Sequence, residues 1–167
     1  MEHEGPRCDR RLCLAHAYRV GESDLCPACT VGSVPGLRVH TIGLRRAGAL
    51  EQPDLLDVTR GTGREGLAFA PSWEILRPAV AARTAGRDWW TSYVPAYVAE
   101  MRASYRRDAG PWRELLARNR VVLGCYCQHR DPCHRGVLAR VLLKLGVSLG
   151  RTVIDCGEIS PRREKRP

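Results

Sequence analysis

The chain lacks long apolar runs. No stretch approaches the roughly 20 apolar residues of a membrane-spanning helix, which predicts that it has no membrane partner. Its opening residues, MEHEGPRCDRR, lack the apolar segment of a secretory signal. A cytoplasmic location is therefore expected, where thiols stay reduced and disulfides are excluded as the main use of cysteine. Lysine is scarce: of 27 basic residues only Lys144 and Lys165 are lysines. The remaining arginines carry planar guanidinium groups suited to bidentate contact with phosphate. No internal repeat is present, which excludes a solenoid.

What is present fits a small globular protein. A length of 167 residues allows about one domain plus a small appendage, and 44% apolar residues suffice for a core. The formal charge is +9, unevenly spread. Residues 1–36 hold four arginines against five acidic residues, so the rest of the chain carries +10. A nucleotide or nucleic-acid partner fits that balance, and so does a merely solvated basic surface.

Three regions follow from composition. Residues 1–36 are rich in cysteine and turn formers and end at the linker-like "TVGSVPG". Residues 37–158 alternate strand-like runs ("LRVHTIGL", "DLLDV", "RVVLGCYC", "RTVIDC") with helical patterns. Residues 159–167 form a polar basic tail expected to be disordered. Ser72 is placed to cap a helix from Trp73 that Pro78 kinks or divides. Tyr93, Tyr97, Met101 and Tyr105 recur every fourth residue, which predicts a helix with an aromatic face turned to the core. Trp89, Trp90, Tyr93 and Tyr97 could alternatively stack bases. Further helices are expected from Pro111 to Arg118 and from Arg135 to Leu145, the latter ended by Gly146. Apolar strands separated by helices predict an α/β fold: a Rossmann-like, largely parallel sheet with helices on both faces, preceded by a small zinc-stabilised module. Ligands of such sheets bind beyond the carboxyl ends of the strands.

The first cysteine cluster has the spacing C-x4-C-x12-C-x2-C, with Cys8, Cys13, Cys26 and Cys29 as candidate ligands of one structural zinc. A segment this short has too little core to fold unaided, which gives a metal clip a physical purpose. His16 could replace one thiolate, and free thiols or a redox pair are the alternatives.

Gly61, Gly63 and Gly66 reproduce a dinucleotide-binding pattern directly after a strand. That pattern works by opening a helix onto a pyrophosphate, and here "LAFAPS" intervenes before any helix begins. A plain glycine-rich turn fits better, or a loop that brings Arg60 and Arg64 to an anion.

The segment "VVLGCYCQHRDPCHRGVLARVL" carries the densest chemistry. Residues two apart in a strand share a face, so Cys125 and Cys127 point together and Tyr126 points away. A loop then delivers Cys133, His134 and Arg135 to a helix start, where unpaired N–H groups favour anions and lower a thiol's pKa. Three readings stay open. Cys125, Cys127, Cys133 and His134 could bind a second metal, although adjacent ligands at 133 and 134 strain a single tetrahedron. They could form a reactive thiol–imidazole site, or they could be buried core cysteines beside a capping histidine.

"HTIG", "LLDVTRG" and "VVLGCYCQHRDPCHRGVLARVL" together resemble the bacterial and phage proteins grouped as domain of unknown function 488; the "CYC…PCH" variant is also similar to domain of unknown function 4326. The resemblance spans about Arg38 to Gly146. It implies an α/β sandwich and site positions at Asp57, Arg60, Cys125, Cys133, His134 and Arg135. Thr59 between Val58 and Arg60, and Leu44 where such proteins often carry histidine, depart from the pattern.

The leading expectation is an enzyme directed at a nucleotide, nucleoside or nucleic acid, with glycosidic or phosphoester chemistry. Asp57, Cys133 and His134 would act in catalysis, and Arg60, Arg64, Arg135 and Cys125 would hold substrate. The alternative is a non-catalytic zinc-binding module acting as a regulator or binder. A third reading is sulfur transfer through a persulfide on Cys125 or Cys133.

Overall fold

The computed structural model describes residues 36–159 and two short antiparallel strands before them, β1 (Tyr18–Val20) and β2 (Ser23–Leu25). Met1–Pro35 and Gly36–Pro167 form two separate units. Cys8, Cys13, Cys26, Cys29 and His16, together with residues 160–167, lie outside the described residues.

The larger unit has the expected α/β class. Its elements run β3 (Leu37–Gly43), β4 (Leu55–Asp57), α1 (Trp73–Thr84), α2 (Trp90–Arg107), α3 (Gly110–Ala117), β5 (Arg120–Cys125), α4 (His134–Ser148) and β6 (Val153–Glu158). All four of these strands pair in parallel, in the order β4-β5-β3-β6. The carboxyl ends at Gly43, Asp57, Cys125 and Glu158 therefore gather along one edge.

The layering is narrower than expected. Val121 and Leu123 of β5, with Val39 and Leu56 beside them, pack into one large core containing buried residues from all four helices. The intervening Val122 belongs to a second, small cluster with Ile42 and Ala49, to which no helix contributes. Crossover handedness explains this. Both helical connections, β4 to β5 and β5 to β6, move in the same direction across the sheet. The connection from β3 to β4 moves the opposite way, so the same hand puts it on the opposite face. It spans only residues 44–54 and contains no helix. Since each fully buried Val, Leu, Ile or Phe contributes about 1.5–3 kcal/mol, the helical side supplies most of the apolar stabilisation.

Three local details depart from expectation. α1 continues through Pro78 as one helix, so Pro78 does not divide it. Its first turn is also tied down from outside, because the Glu100 carboxylate accepts the Ser72 N–H at 3.0 and 3.1 Å. α4 runs through Gly146 to Ser148. There the glycine serves packing, since a Cβ would lie 2.4 Å from Val153 Cγ2. β6 extends past "RTVIDC" to Glu158, whose importance the sequence does not reveal. Among the described residues no helix is long and apolar enough to cross a membrane.

Candidate functional site

The site grows from the end of β5. Gly43 and Cys125 are register partners, and Cys125 lies on the face that meets the helices. The next residues leave the sheet, with Tyr126 exposed and Cys127 partly exposed. The chain passes through a cis Asp131–Pro132 bond to Cys133, the N-cap of α4. α4 presses closely on this loop, because a Cβ on Gly136 would lie 2.9 Å from the Arg130 carbonyl oxygen.

This path brings three donors together. Cys125 Sγ, Cys133 Sγ and a ring nitrogen of His134 all lie within 4.8 Å of one another, close enough to hold a metal ion. His134 Nε2 lies 3.0 Å from the Val58 carbonyl oxygen. A carbonyl can only accept, so Nε2 carries the proton and donates it. Nδ1 then turns its lone pair towards Cys125 Sγ at 3.9 Å. Burial lowers the His134 pKa despite the Val58 bond, so the ring is neutral. A neutral imidazole, oriented by a backbone carbonyl through its far nitrogen, is how a histidine is prepared as a metal ligand. Tyr97 meets the ring edge-on at 5.7 Å between centroids and further fixes it.

Cys127 is the most accessible thiol of the group, since Cys125 and Cys133 are buried. Hydrogen bonding from Cys125 and then Cys133, with the positive potential of Arg135 helping, holds its pKa down to about 2. Hydrogen bonding with Cys127 pushes Cys125 up to about 11, and hydrogen bonding with Cys125 and Cys127 pushes Cys133 well above the usual thiol range.

Cys127, Cys133 and His134 line a cavity of about 40 Å³, closed by Leu76, Ala79 and Val80 of α1 and by Trp89 and Tyr93, with Arg83 at its lip. That is room for roughly one or two waters. Tyr93 is 4% exposed, and its hydroxyl has no hydrogen-bond partner among the described residues. Burial and the nearby Cys133 push its pKa up, so it remains a proton donor. The sequence marks Tyr93 as an aromatic core residue or a base-stacking ring, not as a hydroxyl donor.

The other expected site residues act mainly on the protein itself. The Asp57 carboxylate accepts the Thr59 N–H at 2.9 Å and the Thr62 hydroxyl at 2.5 Å. Arg60 donates to the carbonyls of Pro71 and Ala70 at 2.7 and 2.6 Å. Arg64 is exposed. Arg135, wholly buried, donates to Glu158 at 3.1 and 3.4 Å and to the Cys127 carbonyl at 2.9 Å. Its burial opposes the charge, but the Glu158 carboxylate beside it outweighs that and raises its pKa. The Asp57–Arg60 turn and the His134 ring do meet, through the Val58 carbonyl. The charged ends of Asp57 and Arg60 nonetheless serve the loop.

The glycine loop has the same local purpose. A Cβ on either Gly63 or Gly66 would lie 2.0 Å from the Asp57 carbonyl oxygen, whereas nothing lies within 4 Å of one on Gly61. Gly63 and Gly66 allow the loop to fold back on the strand end.

A parallel α/β domain with a thiol–imidazole cluster at its strand ends is the class these observations define. Residues 66–146 match the family model described as "Active DUF488-N3 subclade", and the chain carries a domain of the domain of unknown function 488 family. The match takes in α1 to α3, β5, the whole cysteine–histidine segment and α4 as far as Gly146, while β3 and β4 precede it. No curated protein and no solved structure matches the chain.

Proposed function

We propose that the α/β domain is an enzyme built around a metal centre, held by Cys125, Cys133 and His134, that acts on a nucleotide- or nucleoside-like substrate. The observation that carries this reading is the convergence of three donor atoms within 4.8 Å beside a cavity. Two thiolates and an imidazole suit zinc, and three protein ligands leave a fourth position for water or substrate. When bound, the ion supplies a polarised water or carbonyl. The unpartnered Tyr93 hydroxyl is available to donate a hydrogen bond to the reacting group in the cavity. Only a small part of a substrate enters 40 Å³, so its body stays at the lip. There Trp89 and Arg83 offer an aromatic ring and a guanidinium 6.0 Å from it, chemistry suited to a base and a phosphate.

A second reading has one specific support. Cys127 lines the same cavity as Cys133 and His134, which puts a further thiol near the three donors. A four-ligand centre is closed and structural, and the domain would then be a binding module. Metal analysis of the full chain separates the two. Cys125→Ser/His134→Ala should lose one equivalent of zinc relative to the parent, whatever the amino-terminal cysteines hold. In the enzyme reading Cys127→Ser keeps that equivalent while turnover of a nucleotide panel falls. Loss of the equivalent in Cys127→Ser favours the closed centre, and no loss in the double variant refutes a metal at this site.

A further inference from the structure

A larger hollow lies away from the thiols, between α2 and α4. It has a volume of about 480 Å³, within the range of roughly 300–1,000 Å³ that ligand sites occupy. Its floor is apolar: Met101, Trp112 and Val137 are almost fully buried, and Val98, Val141 and Leu145 flank them. Each wall carries cations one helical turn apart, Arg102 and Arg106 on α2 and Arg140 and Lys144 on α4. Among the described residues only Arg140 of these four has an ion pair, an exposed contact with Asp131. Such exposed pairs are worth little and exchange readily.

We propose that this trough is a docking site for an acidic amphipathic helix of a partner protein. Three observations select that occupant. The lining runs from Val94 to Arg106 on α2 and from Val137 to Ser148 on α4, a trough of about 16–18 Å at 1.5 Å per residue, matching three turns of helix. The cations form two facing rails on either side of the apolar floor. A small amphiphile with one anionic head needs cations gathered at one end, whereas a helix with carboxylates flanking its apolar stripe meets both rails. The formal charge of +9 opposes a second copy of this chain as the occupant.

The test uses the full chain and fluorescence anisotropy with a labelled peptide of about 18 residues, carrying leucines at helical spacing flanked by glutamates. The expected result is saturable binding, at least about tenfold weaker for the same peptide with lysines in place of the glutamates. Arg106→Glu/Lys144→Glu, whose substituted side chains are exposed, should weaken the acidic peptide by a similar factor. Val141→Asp should abolish binding, with circular dichroism showing the fold intact for both variants. Equal binding of the two peptides, or no binding of either, overturns the proposal. So does dodecanoate or a single-stranded oligonucleotide binding more tightly than the acidic peptide and losing that binding in the charge-reversed variant.

Discussion

Arg135 and Glu158 form an ion pair at 3.1 Å that joins the first turn of α4 to the end of β6, with the arginine side chain fully buried. Thr41 of β3 donates to the same carboxylate at 2.5 Å, so three neighbouring elements meet at one acidic group. Breaking a buried pair by removing one partner leaves an uncompensated charge and is strongly destabilising. Glu158→Ala should cost about 2–4 kcal/mol by urea unfolding, below the extreme because Glu158 keeps some contact with water. Arg140→Ala, which removes an exposed pair with Asp131, should cost under about 0.5 kcal/mol. Equal losses would mean that Arg135 does not bind α4 to the sheet.

The glycine loop offers a contrast within six residues. Gly63→Ala and Gly66→Ala each force a methyl group against the Asp57 carbonyl, which has no flexible side chain to yield. Each should lower stability by about 2 kcal/mol or more, and Gly61→Ala by less than about 0.5 kcal/mol. Thermal unfolding of the three variants decides it. A loop shaped to cradle a pyrophosphate would instead leave stability little changed and weaken nucleotide binding.

Tyr93 should separate stability from chemistry. Its hydroxyl is buried without a partner, so Tyr93→Phe removes an unsatisfied group, and stability should stay within about 1 kcal/mol or rise. If the hydroxyl serves an occupant of the thiol cavity, turnover on the responsive nucleotide should fall about tenfold while zinc content is unchanged. A variant that matches the parent in both respects would remove Tyr93 from the site.

His40 should confer a pH dependence whose sign follows from its surroundings. Burial, with repulsion from Arg120 and Arg38, holds its pKa below the ordinary 6.5, although Asp155 pulls the other way. The folded state therefore resists a proton that the unfolded chain takes up as pH falls through about 6.5. Stability lost between pH 7 and pH 5 should shrink in His40→Gln, measured as urea midpoints across that window. An identical pH profile would show that His40 titrates alike in both states.

Short-range features of the chain were readable from residue order alone. Short apolar runs marked the strands, and a four-residue aromatic spacing marked the buried face of α2. Cys125, Cys133 and His134 sit within ten residues on a strand–loop–helix, so their approach follows from local geometry. The residues that complete or redirect the site come from far away in sequence. The His134 orientation depends on Val58, 76 residues earlier, and the guanidinium of Arg135 is claimed by Glu158, 23 residues later. Tyr93 is brought over the thiols by a helix whose sequence marks it as a core or base-stacking ring. Local spacing sets which side chains share a strand face or a helical turn, and so it chose the thiol and imidazole donors. Which distant groups turn those donors, neutralise them or close over them depends on crossovers and helix packing, and these exist only once the sheet has assembled.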